Sequence, residues 1–486
     1  MSRRLLYTMI LFLCIISSDL IAQNSQALYF MNLPQRTTLN PALRPTSRVY
    51  VGLPVISDIS VNINNNFLSF SDIFIGGVIS DSTVSFLESG ENLDAFIAGL
   101  NEKNSLQPEV GIQLFGLGFT LFNDFYFTLD LTERVQSNIA FPRDLLRLAF
   151  NGSDDFMGQR VDMSSLRADV LYYHEVAAGV SKNITDKLRV GARAKLLLGM
   201  ASENTENNGL GLTVNSDYSY TVDADMAMNI SGPVSFYSDN KGLIDSVSFD
   251  KDRFNSTSGV VSFFTNAGNR GLGLDLGAEY KLTDRVTLSA SVTDIGYIRW
   301  RTDLTRLQVN KTIELSGLNM QDVYDGSLEF EDVMKDIGDT LKKSVKLINS
   351  PAPYTTYLPW GVTVAGSFNL TKSVSFGLLS RTRFIGKQVQ EAVTASANIN
   401  FGNAFSTTLA YTAANQTYDN IGFGFAVRGG YVQFFTLVDN IPLKWTDATK
   451  GDRSFPVPEN LNTIHARLGL NFVFGNKIKE KKESED

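Results

Sequence analysis

The chain of 486 residues carries 43 Lys and Arg against 51 Asp and Glu, a formal net charge of −8, with 43% hydrophobic and 11% aromatic residues and a single Cys. That balance excludes the basic stripe of a nucleic-acid binder, and one cysteine excludes a disulfide framework. Beyond the N-terminus no apolar stretch reaches the roughly 18–20 residues of a membrane-spanning helix, so residence in a membrane requires a closed barrel.

In chain order, Arg3 and Arg4 precede a run of about twelve apolar residues from Leu5 to Ile16, and small residues lead to Ala22. This is the layout of a secretory signal peptide over 1–22, too short for a spanning helix. Bulky Leu13 before Cys14 argues against a lipid anchor. Residues 23–47 are polar with Pro34, Pro41 and Pro45, either a leader or a plug folded into a lumen.

From residue 48 to 475 the text alternates. The clearest run, Ile464 to Phe474, sets Ile464, Ala466, Leu468, Leu470 and Phe472 against His465, Arg467, Gly469 and Asn471. The same grammar places Leu188, Val190, Ala192, Ala194 and Leu196 opposite Arg189, Arg193 and Lys195. It also places Leu272, Leu274, Leu276 and Ala278 opposite Asp275, Glu279 and Lys281. Alternation over about ten residues, ending on an aromatic, is the grammar of a barrel wall. Strands are expected near 48–66, 110–121, 124–136, 169–182, 187–200, 270–282, 285–299, 357–370, 372–384, 389–401, 404–413, 419–428, 430–438 and 462–475. Pro54 predicts a bend in the first.

Short polar links such as 183–187, 281–285 and 369–373 alternate with long connections near 137–168, 200–270, 300–356 and 439–461. Segment 209–231 reads either as an extracellular hairpin or as extra wall strands. Short helices are expected over Glu91 to Lys103, Pro142 to Phe150 and Asp322 to Leu347, and residues 476–486 form a charged periplasmic tail. The expected fold is therefore all-β: a transmembrane antiparallel β-barrel of about 14 strands, with an N-terminal plug-like segment and short helices in extracellular loops.

The text Leu28-Tyr29-Phe30-Met31-Asn32-Leu33-Pro34-Gln35, Leu39-Asn40-Pro41-Ala42 and Tyr50-Val51-Gly52-Leu53-Pro54, with Ser291 to Gly296 further on, resembles an uncharacterised family of Bacteroidetes outer-membrane proteins. More distantly, Asn40-Pro41-Ala42 and the strand number resemble the FadL-type long-chain fatty-acid channels. That resemblance implies a plug holding Asn40, Pro41 and Ala42, which moves to release a hydrophobic ligand. It extends to barrels of secretion and surface assembly, so the cargo stays open.

No serine elbow, His-x-x-x-His pair or phosphate loop is present, and no cofactor, metal or catalytic residue is assigned. His174 shares the outward parity of Tyr172 and Val176, as an interfacial residue near an aromatic girdle. Lumen parity falls to Arg189, Arg193, Lys195, Asp275, Glu279, Lys281, Arg381, Arg383, His465 and Arg467. These read first as mutually paired filling of a polar lumen and second as a selectivity lining or a clamp on the N-terminal segment. A slip in alternation at Asp294 to Gly296 predicts a wall bulge. The leading expectation is a passive channel for a small molecule, hydrophobic on the FadL resemblance. The alternative is a non-transporting barrel that anchors or assembles a surface or secretion partner. Either sits in outer-membrane lipid.

Overall fold

The computed structural model describes residues 26–67, 96–315, 344–441 and 445–475, apart from gaps at 123, 218, 266–267, 349–350, 387, 403, 415–416, 451–452 and 459–462. The expected signal peptide, the charged tail and most of the helix expected over Asp322 to Leu347 lie outside these residues; the described end of that helix, from Lys346, is instead strand, paired with Arg306 to Gln308.

Fourteen antiparallel strands close into a ring. They are β1 (in two halves, Val49–Gly52 and Ile59–Asn65), β2 (Lys103–Leu121), β3 (Phe125–Pro142), β4 (Arg167–Asn183) and β5 (Leu188–Val214). β6 (Arg270–Lys281), β7 (Val286–Trp300), β8 (in two halves, Tyr354–Tyr357 and Trp360–Asn369), β9 (Val374–Ile385) and β10 (Gln388–Phe401) follow. β11 (Phe405–Ala414), β12 (Thr417–Gly429), β13 (Val432–Ile441) and β14 (Thr463–Phe474) complete the wall. The seam joins β14 to both halves of β1, with Val49 opposite Phe474 and Ile59 opposite Leu468. Each of the fourteen stretches of alternation corresponds to one wall strand.

The alternation is inverted relative to a soluble sandwich. Leu272 is 59% exposed and Leu378 59%, whereas Asp275, Asn398 and Asn471 on the other face are 0% exposed. Apolar side chains therefore face lipid and polar ones face a filled interior. Three of the tight links are copies of one turn. Thr185, Thr283 and Thr371 each accept, through Oγ1, the backbone N–H groups two and three residues on. Each turn also presents an exposed apolar residue (Ile184, Leu282 or Leu370) at the membrane edge. This is the short-turn end of the barrel.

At the opposite end the structure corrects several expectations. β2 begins at Lys103, so the end of the helix expected over Glu91 to Lys103 is strand; helical residues are described only at 96–99. The connections near 137–168 and 200–270 are largely extended, because β3 runs on to Pro142 and β5 to Val214. Above the membrane both faces of these strands are polar or covered, so the period-2 hydrophobic signal is lost while backbone pairing continues. Segment 209–231 is a hairpin arm outside the ring. The far half of β5 pairs with Tyr220–Ser231, which pairs with Leu304–Leu315. The arm has its own apolar cluster, including Phe156, Val161, Leu210, Val214, Val222 and Ile313. Helix α1 (Gln26–Phe30) lies inside the barrel, α2 (Arg143–Asn151) follows β3 directly after Pro142, and α3 (Thr257–Phe264) lies on the outer wall.

Candidate functional site

Residues 26–47 are folded inside the ring, and no wall strand pairs with them among the described residues. They are held instead by side chains. Gln26 Oε1 accepts hydrogen bonds from Thr412 (2.8 Å) and Thr394, and the Ala27 N–H donates to Asp439 (3.2 Å). Gln35 and Asn471 exchange amide bonds at 2.8 and 3.1 Å, and the Ser291 hydroxyl donates to the Leu39 carbonyl at 2.7 Å. Leu28, Met31, Leu33 and Leu39 pack against inward-facing Leu379, Phe435 and Leu437. Both segment and lumen are thus part apolar, part amide, and each satisfies the other.

Asn40-Pro41-Ala42 lies against wall positions occupied by glycine. The Asn40 amide donates to the Ala278 and Ala290 carbonyls (3.3 Å each) and to the Tyr29 hydroxyl (3.1 Å). Its Oδ1 accepts the Ala42 N–H at 2.9 Å, closing a local Asx turn. Gly191 and Gly277 make room. A Cβ on Gly191 would strike the Pro41 carbonyl, and one on Gly277 the Asn40 amide. Toward the short-turn end Arg44 donates to the Ser181 hydroxyl (2.9 Å) and carbonyl (2.8 Å) and to the Asp124 carbonyl.

The inward charges form pairs. Arg193 lies 2.8 Å from Asp130, 3.4 Å from Asp275 and 3.9 Å from Glu175. Lys195 lies 2.9 Å from Asp275, 2.5 Å from Asp294 and 3.7 Å from Glu175, which Arg134 also meets at 2.9 Å. Arg189 pairs with Glu279 (3.0 Å), His465 with Asp439 (2.9 Å), and Arg467 with Asp58 through two bonds. Arg381 lines a polar cavity of about 110 Å³ together with Asp58, Asn62, Arg383 and His465. Lys281 lies exposed at the short-turn end of β6. Sequence reading missed Glu109, Asp130, Arg134 and Glu175, although their inward parity on β2, β3 and β4 was available from the apolar residues alternating with them.

His174 does project outward, but α3 covers it. Its ring is 5.7 Å from that of Phe264 and its Nδ1 is 2.8 Å from Glu133. His465 is inside the lumen, so the two histidines do not share a site.

Above the N-terminal segment the lumen is bridged. Arg383 on β9 donates to Glu109 on β2 at 2.8 Å, and the Gln390 amide donates to Gln107 at 2.7 Å. Beyond this bridge lies a cavity of about 660 Å³, running from Gln107 and Gln136 inside to Trp360 and Phe384 on the outer face. It passes through a break in the wall. Asp275 of β6 faces both Thr293 and Asp294 of β7, a bulge that leaves Asp294 at φ +64°. The Asp275 carboxylate accepts the Asp294 N–H at 2.7 Å, and Lys195 binds both carboxylates, which holds this uncommon conformation. Opposite the bulge β8 is interrupted at Leu358 and Pro359, where, among the described residues, the Leu358 N–H to Gly296 carbonyl bond (3.0 Å) alone continues the ladder. Proline has no N–H to offer there. At the outer mouth Trp360 and Phe384 stack at 4.1 Å.

No curated protein matches the chain in sequence. Among solved structures it is similar to a Pseudomonas aeruginosa FadL homologue (10% identity, covering 94% of this chain and 100% of that one, TM-score 0.39). It is also similar to the TodX deltaS2S3 mutant monoaromatic hydrocarbon channel (13%, 94% and 100%, 0.43) and to the Pseudomonas putida toluene transporter TodX (11%, 94% and 95%, 0.37). A family model matches residues 41–439, and the chain belongs to that family, the family of unknown function DUF5723.

Proposed function

We propose that this protein is an outer-membrane channel for a small, mainly apolar molecule, with residues 26–47 as its movable plug. The observation that supports this most is how the segment is held. It fills a closed barrel through side-chain hydrogen bonds and small-residue contacts, with no strand pairing, so it can shift while the wall stays closed. A ligand would enter the upper cavity from the long-loop end. It would leave either past the displaced Asn40-Pro41-Ala42 turn or sideways through the break at Leu358 and Pro359. Deleting residues 26–47 should give a stable pore of higher conductance than the full chain in planar bilayers. An unchanged, closed barrel would count against the reading.

A second reading is favoured by the extracellular arm, whose own apolar cluster makes it a rigid platform beyond what a channel needs. On that reading the protein anchors a surface or secretion partner. Stoichiometric capture of one partner, lost when the arm is removed, together with no conductance after deletion of 26–47, would support it.

A further inference from the structure

The 660 Å³ cavity is apolar at its outer end, where Leu171, Ile295, Leu358, Trp360 and Phe384 meet, and amide-lined at its inner end by Gln107, Gln136 and Asn138. Its charges are unequal. Glu109, Asp169 and Glu203 line it, against Arg167 as the one cation among the described lining residues. That cation is engaged, lying 3.4 Å from Asp169 and donating to the Thr205 carbonyl at 3.5 Å. Glu109 is matched by Arg383, which lines the lower cavity. Among the described residues Glu203 accepts a hydrogen bond from the Thr205 hydroxyl at 3.0 Å and has no ion pair.

An anionic head group entering this space would give up its water and find no unspent cation in return, while facing carboxylates. Burying an unpaired charge is among the costliest steps available to a ligand. A hydroxyl or carbonyl head loses far less and can exchange hydrogen bonds with the amides. Resting on the channel reading, we infer that the upper cavity selects an uncharged amphiphile, with its apolar body at the wall break and a hydrogen-bonding end toward the amides, and rejects the carboxylate of equal chain length.

The test uses the full mature chain in zwitterionic-lipid nanodiscs at pH 8, with 1-octanol and octanoate as probes and empty nanodiscs as the blank. Trp360 lines the cavity and serves as the reporter, and Trp360→Phe identifies its share of the signal. Octanol should change the Trp360 emission at a concentration about tenfold or more below octanoate. Asp169→Asn releases Arg167 and should narrow that ratio while octanol binding persists. Octanoate binding as tightly as octanol overturns the inference, and so does binding of neither probe. Asp169→Asn that retains octanol binding with an unchanged ratio overturns the electrostatic cause. These outcomes are separate from the plug-deletion conductance, so the channel reading can fail while the cavity's preference stands, and the reverse.

Discussion

Glu109 and Arg383 meet at 2.8 Å although their strands, β2 and β9, stand seven apart in a ring of fourteen, on opposite sides of the barrel. The lumen is therefore pinched across its diameter, and the ion pair divides the cavity beneath it from the one above. Arg383→Met takes the 2.8 Å cation from the Glu109 carboxylate in a poorly hydrated place and should destabilise the barrel, by up to about 3–5 kcal/mol. Adding Glu109→Gln should restore most of the loss. Urea titration of the protein refolded in lipid vesicles measures both, and a double variant no better than the single one would show that the pair is not coupled.

Gly191 faces the backbone of Pro41 and Ala42 with no room for a side chain. Gly191→Val should push the Asn40-Pro41-Ala42 turn off the wall while leaving the strands paired. The expected result is raised conductance with a normal folded band on unheated gels. Protease cleavage within 26–47 should rise in parallel.

Leu378 lies near the middle of β9 with its side chain on the outer face. At the bilayer midplane Leu378→Arg should destabilise the barrel by about 2–4 kcal/mol. Leu378→Ala should cost much less. Equal tolerance of both in vesicle-based unfolding would contradict a lipid-facing position.

Glu203 lies on the part of β5 that rises above the membrane. Burial pushes its carboxyl up to about 7, and Asp169 adds to the effect, while the Thr205 hydroxyl and Arg167 oppose it. Tyr354 faces it from β8. The fold thus favours the protonated form. The stability this provides is fully present below the usual glutamate value near 4.5 and is lost as pH rises through about 7. The unfolding midpoint should fall between pH 5 and pH 8, and Glu203→Gln should remove part of that fall.

Sequence alone made the wall legible because lipid enforces period 2 over the whole membrane depth. Ile464 to Phe474 shows it without interruption, and the repeated threonine turns mark where strands reverse. The slip at Asp294 was legible for the same reason, as a defect in a strict pattern. Contacts across the lumen were not. Glu109 and Arg383 are 274 residues apart. Their meeting depends on strand stagger and on the pinch, neither of which leaves a local trace. The arm was legible over 209–231 as one of two alternatives, a hairpin, but its third strand, Leu304–Leu315, and the apolar cluster they share join segments distant in the chain and leave no local trace.

The N-terminal segment reaches ten of the fourteen strands from within, from Ser181 on β4 round to Asn471 on β14. A peptide that touches so much of the inner circumference acts as a gauge of girth. A ring of twelve strands would crush it, and one of sixteen would leave its amides without partners. Because it precedes β1 in the chain, it can be enclosed when the seam between β1 and β14 forms. The same residues proposed to gate the finished barrel would then help decide how many strands it is built from.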